Sequence, residues 1–193
     1  YDDLNLGLHV GDDPAAVGAD RARVAAALDL APSSFVFGAQ VHGADATVVG
    51  AGDRGRGAGD AATAVPACDS LVTADGDVAL TVLTADCTPI LLADPVRRTA
   101  AAVHAGWRGT VAGAAGAAVA ALAALGTRPR DVVAAIGPTI GPAGYRVGGE
   151  VAAALAAAWP GDADRWLAAV PGGWACDLAR ANHDQLVAAG LAP

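Results

Sequence analysis

Two short stretches hold residues that a hydrophobic core would not choose. Asp86 and Cys87 stand in TVLTADCTPILLAD, and His104, Trp107 and Arg108 stand in HAGWRGT. A thiol and an imidazole brought together can ligate a metal or form a nucleophile–base pair. Residues 90–93 and 99–103 read as buried strands on either side of an Asp94-Pro95 turn. A hairpin there would carry His104 back towards Cys87. His42 also ends a strand-like run, and a glycine follows it directly, where other backbone or a ligand can approach closely. Taken singly, His42 and His104 also fit buried, hydrogen-bonded histidines, and Cys87 a small buried thiol. Taken together, His42, Cys87 and His104 make a three-ligand zinc site whose fourth tetrahedral position stays open, as catalytic zinc requires. The spacing is long, and Cys68 and Cys176 are competing thiols.

Three further residues are candidates for chemistry. Asp86 is a proton shuttle by its place beside Cys87, provided the chain turns there, because neighbours in an extended strand face opposite sides. Asp69 is the substitute. Arg108 precedes a helix whose first turn has free N–H groups, and a fixed cation with a helix N-terminus suits an anion such as phosphate. Without a metal, Cys87 and His104 could act as a thiolate–imidazolium pair in hydrolysis or deamidation, with Asp86 or Asp69 orienting the histidine. His183, between Asn182 and Asp184, reads as a solvated helix face, and His9 receives no role.

The elements that must position these residues interleave as strands and helices, so the class is α/β or α+β. Asp13-Pro14 opens a helix over 14–28, with Val17, Arg21, Val24 and Leu28 at helical spacing. Residues 35–37, 46–49, 69–73 and 78–84 read as strands, and the Gly- and Ala-rich 50–64 as a mobile loop. A helix is expected over 110–125 with Gly126 as its cap, a buried strand over 131–136, and a rigid turn over 137–142. Helices over 148–158 and 178–189 complete the chain. Residues 1–11 read as loop and short extended structure.

Composition narrows the function classes. The 193 residues carry 54% apolar side chains, 12 arginines against 20 acids, and a formal charge of −8. This acidic chain without a basic run is a poor binder of nucleic acid, although one local pocket can still hold a small anion. No lysine occurs, which excludes a P-loop lysine, Schiff-base catalysis and lysine-anchored pyridoxal phosphate. Three cysteines make no disulfide framework and suit a reducing compartment. With no signal peptide or convincing membrane span, a soluble, cytoplasmic protein is expected. The chain opens at Tyr1 and lacks methionine, so an initiator is expected upstream.

The order QVHGADATVV at 40–49, CDSLVT at 68–73, TADCTPILLAD at 84–94, HAGWRGT at 104–110 and GPTIGPAGYRVGGEV at 137–151 resembles the multicopper polyphenol oxidase (laccase) family, also known as the YfiH or purine nucleoside phosphorylase family. LNLGLHVGDDPAAV at 4–17 and DLARANHDQLVAAG at 177–190 extend the match to nearly the whole chain. The resemblance implies a single domain over 1–193, built as a four-layer α/β/β/α sandwich of mixed sheets. By the same comparison, the terminal strands usual in the family are expected to be lacking from 1–193. It implies a zinc centre, or a copper one, on His42, Cys87 and His104. It implies phosphorolysis of adenosine, inosine and methylthioadenosine, with adenosine deamination as a second activity. Purine nucleoside and phosphate are then the partners, and Asn5, Gln40, Asp69 and Arg108 are candidate contacts to them. The oxidase name fits poorly, because several coppers need many histidines and the chain has four. Some relatives are described as peptidoglycan editing factors, which leaves a cell-wall precursor as another substrate.

Overall fold

The computed structural model describes residues 4–193, so the first three residues of the expected opening loop lie outside it. The architecture is mixed α/β. Its centre is a five-stranded sheet in the order β2-β3-β6-β5-β7, made of Ala46–Val48 (β2), Ser70–Thr73 (β3), Thr99–Ala105 (β6), Thr88–Asp94 (β5) and Val133–Ile136 (β7). β2 and β3 pair in parallel and the other neighbours are antiparallel. Phe35–Phe37 (β1) and Ala79–Thr81 (β4) form a separate parallel pair. A third, antiparallel sheet joins Arg146–Val147 (β8), Gly173–Cys176 (β10) and Leu167–Val170 (β9). Those last three strands and the short helix Ala163–Trp166 (α5) are absent from the sequence reading.

Alternation along the strands fixes the layers, because successive residues face opposite sides of a sheet. Ile90, Leu92, Ala101, Val103 and Val72 pack on one side against Ala115, Ala118, Val119 and Leu122 of the helix Ala114–Ala124 (α3), with Leu186 of Leu178–Ala188 (α6). Leu71 points the other way and meets Val36, Val65 and Leu80 around the β1–β4 pair. Outside that pair lies the helix Pro14–Ala27 (α1), whose Arg21 guanidinium sits 3.9 Å from the Phe37 ring centre. The sequence is thus helix, sheet, sheet, helix. Alanine makes up much of the α3 face, which lets helix and sheet approach closely.

Several boundaries depart from expectation for physical reasons. The helix expected over 110–125 is two helices, Trp107–Ala112 (α2) and α3, broken at Gly113. Gly113 adopts φ 80°, ψ 37°, a left-handed conformation that ends the first helix. The carbonyls freed there are not orphaned: Trp159 Nε1 donates to those of Thr110 and Val111, and Gln185 Nε2 to that of Thr110. The strand expected to be buried over 131–136 is an edge strand, with Val133 65% exposed. Residues 50–64 are not a featureless loop. They contain two 3₁₀ turns, and Arg56 donates to the carbonyls of Thr63 and Ala64. Among the described residues, no helix is long and apolar enough to cross a membrane.

Candidate metal centre

The parallel pairing of β1 with β4 sends the segments that follow them out at the same end of the structure. The 38–43 segment after β1 carries His42, and the 82–87 segment after β4 carries Cys87. Gln40 ties the two together: its Nε2 donates to the Leu83 carbonyl and its Oε1 accepts from the Leu83 N–H, at 2.8 and 2.7 Å. His104 arrives on β6. The hairpin register pairs Thr88 with Ala105, so the next pair outward is Cys87 and Gly106. The hairpin inferred from Asp94-Pro95 is therefore the device that returns His104 to Cys87.

His42, Cys87 and His104 each present a ligand atom, and these atoms all lie within 4.8 Å of one another. Among the described residues this is the one such convergence of His, Cys, Asp or Glu. The two imidazole rings stand edge to face, 4.9 Å between centres. A tetrahedral ion with bonds of about 2.0–2.3 Å holds its donors roughly 3.5 Å apart, so small side-chain rotations close the set. Two imidazoles and a thiol also suit the softness of zinc or copper. Residues and metal fit.

The local environment works against an ionised Cys87–His104 pair in the metal-free protein. Burial, followed by the charges of Asp86 and Asp69, pushes the Cys87 thiol up from its ordinary value. Burial also lowers the His104 pKa, and neither the Asp69 hydrogen bond and charge, which oppose it, nor the His42 charge, which adds to it, reverses that direction. Both shifts run against a thiolate–imidazolium pair at Cys87 and His104.

Gly106 makes the convergence possible. A Cβ there would sit 2.9 Å from Cys87 Sγ and 3.1 Å from His42 Cδ2. Behind the ligands lies Asp69, fully buried. Its Oδ1 accepts from the His42 N–H at 2.9 Å and engages His104 Nδ1 at 2.8 Å. Its Oδ2 accepts from the N–H groups of Val41 and Gly43 at 3.0 and 2.8 Å. Burial works to raise the Asp69 pKa, but these four bonds outweigh it and hold the carboxyl below the usual range.

The ligands open onto a cavity of about 610 Å³, whose lining includes His9, Arg21, Phe37, Asp86 and the three ligands themselves. Asp86 and Cys87 both reach it because residues 85–87 form a bend, not extended strand. Thr139 Oγ1 and the Ile140 N–H brace that bend by donating to the Asp86 carbonyl.

Other expected contacts are placed differently. Asp69 has no exposed oxygen to offer a substrate or a proton, because its four acceptor positions are filled from within. Gln40 does line the cavity, with its amide braced at both ends by Leu83. Asn5 binds Gly7 and Asp12 in the opening loop and does not line the cavity. Arg108 is exposed over the Trp107 ring, 4.3 Å from its centre, and the helix it enters has only six residues. It does not line the cavity either. The basic residue that does is Arg21. Its signal in the sequence was a cation inside the otherwise apolar stripe Val17, Val24, Leu28. His9 carried no signal beyond its place in LNLGLHVG.

The fold is a mixed α/β sandwich whose His–Cys–His cluster, at the end of its strands, has the donor set to hold one metal ion. The chain belongs to the family described as multi-copper polyphenol oxidoreductase laccase, whose model matches residues 1–193. It is 47% identical to the purine nucleoside phosphorylase ORF3 of Streptomyces griseus over 99% of this chain and 74% of that protein. The crystal structure of YlmD from Geobacillus stearothermophilus superposes with a TM-score of 0.93 at 43% identity, covering 97% of this chain and 70% of that one. The hypothetical protein YfiH of Bacillus licheniformis gives 0.96 at 34% identity, covering 100% and 73%.

Proposed function

We propose that this chain is a metal-dependent purine nucleoside phosphorylase that takes adenosine, inosine and methylthioadenosine, with adenosine deamination as a second activity. The observation that carries the reading is the His42–Cys87–His104 cluster at the wall of a cavity large enough for a nucleoside. The relatives named purine nucleoside phosphorylase, at 42–47% identity, supply the substrate class. A zinc or copper ion held by His42, Cys87 and His104 would supply a fixed positive charge that polarises an oxygen of the bound reactants.

The chain's own residues divide the remaining work. The apolar wall around Phe37, Leu8 and Leu83 excludes water from a purine ring. Phosphorolysis forms a bond from a phosphate oxygen to the ribose anomeric carbon as the glycosidic bond breaks, and the departing base needs a proton. We assign Asp86, a residue of the cavity lining, to hold or move that proton. The Arg21 guanidinium reaches the wall as a fixed positive charge, but it donates to the carbonyls of Leu6, Gly57 and Ala58, so its part in holding phosphate is electrostatic and not a direct clamp.

The test is chromatography of products from metal-loaded protein and adenosine, with and without phosphate. Adenine and ribose 1-phosphate forming only with phosphate is the expected result, and His42→Ala should abolish it. Product formation that survives complete chelation and His42→Ala would refute metal dependence. Inosine without any adenine would refute phosphorolysis.

A further inference from the structure

Resting on the metal reading above, we propose that Asp69 is the positioning residue that assembles the centre before any ion arrives, holding both histidines with one carboxylate. The two histidines are reached in different ways. His104 is held through its side chain: its Nδ1 meets Asp69 Oδ1 at 2.8 Å. An ionised carboxylate only accepts, so this contact places the ring proton on Nδ1 and leaves the Nε2 lone pair free for a metal. His42 is held through its backbone. The consecutive N–H groups of Val41, His42 and Gly43 all converge on the same carboxylate.

That grip matters because His42 has φ 62°, the left-handed region that a residue with a Cβ rarely adopts. The turn exists only while something over-determines it, and the three N–H bonds do so. The main chain adds a further link, since the His104 N–H donates to the Asp69 carbonyl at 2.8 Å. Asp69 therefore couples an exposed ligand on a loop to a buried ligand on a strand. Each oxygen accepts two hydrogen bonds, and the carboxylate has no function left over.

Asparagine at this position would be a poor substitute despite its shape. It offers one acceptor oxygen, and its NH₂ group would face two N–H donors. Asp69→Asn should therefore free the His42 turn or release the His104 tautomer. Losses of this kind behind a metal ligand typically lower affinity about 10- to 100-fold. Asp94→Asn is the matched control. Asp94 is equally buried at the far end of β5, where it accepts from the Val96 and Arg97 N–H groups and from the Arg97 side chain.

Two measurements on the full chain test this. The first is zinc affinity by competition with a chromophoric chelator for wild type, Asp69→Asn and Asp94→Asn. The second is the imidazole ¹⁵N spectrum of the metal-free proteins, which reports the His104 tautomer. The expected result is a 10- to 100-fold weaker affinity in Asp69→Asn alone and an Nδ1–H tautomer of His104 in wild type that Asp69→Asn loses. Equal zinc affinity in folded Asp69→Asn and wild type would overturn the proposal, as would an Nε2–H tautomer in wild type. Should wild type bind no zinc at all, the metal reading fails while the tautomer still decides the role of Asp69. If Asp69→Asn does not fold, the wild-type tautomer decides by itself.

Discussion

Gly106→Ala probes the centre through sterics alone. Gly106 lies at φ −75°, ψ 178°, a conformation that alanine adopts without strain. Any effect must then come from the added methyl group. That carbon would sit 2.9 Å from Cys87 Sγ and 3.1 Å from His42 Cδ2. Ordinary contacts of this kind are about 3.5–4.0 Å, so each ligand must retreat by roughly 0.5–1 Å. Overpacking of that size typically costs about 1–3 kcal/mol. Cys87 and His42 both sit on segments outside regular strands, so they are the groups that give, and the cost falls on ligand geometry more than on the core. Transferred to the metal, it corresponds to about 5- to 150-fold weaker binding. The assay is a zinc competition titration, paired with thermal unfolding of the metal-free protein to see that the fold survives. Affinity within about twofold of wild type, with unchanged metal-free stability, would refute the packing argument.

Three further outcomes follow from the same geometry. The Cys87 thiol is shifted up and His104 down, so zinc binding should draw a proton off Cys87. Apparent affinity should then rise about tenfold per pH unit from pH 7 towards the thiol's raised pKa, and a flat titration profile would contradict it. Cys87 is the partly exposed thiol, whereas Cys68 and Cys176 are buried and Cys176 is pushed up to about 11 by burial and the Asp177 charge. Native metal-free protein should alkylate at Cys87 first, and zinc should protect it; mass spectrometry finding Cys68 or Cys176 labelled earlier would count against this. Arg21 donates to the carbonyls of Leu6, Gly57 and Ala58 while it stacks on Phe37. Arg21→Ala should cost about 2–4 kcal/mol of stability, read from urea unfolding, and a change under 1 kcal/mol would mean that these carbonyls find other partners.

The features legible in the sequence are those that depend on local chemistry. Pro14 after Asp13 set the start of α1, which begins at Pro14 with Asp13 accepting from the Ala15 N–H. Asp94-Pro95 marked the β5–β6 hairpin, and the odd residues out in ADC and HAG marked two ligands, since polar groups at the ends of apolar runs stand out against period-two burial. The helix break does not stand out because Gly113 is one more small residue in an Ala- and Gly-rich run, and the carbonyls it frees are bonded by Trp159 and Gln185 far along the chain. The last three strands were missed because Arg146–Val147, Leu167–Val170 and Gly173–Cys176 are short and pair only with each other. The bend at 85–87, which turns Asp86 and Cys87 to the same cavity, is likewise held from outside, by Thr139 and Ile140. Tertiary structure also decided every role that depends on who reaches whom. It moved Asn5 into loop bracing, gave Gln40 a place in the cavity wall with its amide braced by Leu83, left Arg108 outside the cavity, and put Arg21 in its wall. It buried Asp69 beneath both histidines. A carboxylate near a strand looks the same in sequence whether it faces solvent, substrate or four N–H donors. Only the long-range pairing of β3 with β6, and of the 41–43 turn with Asp69, separates those cases.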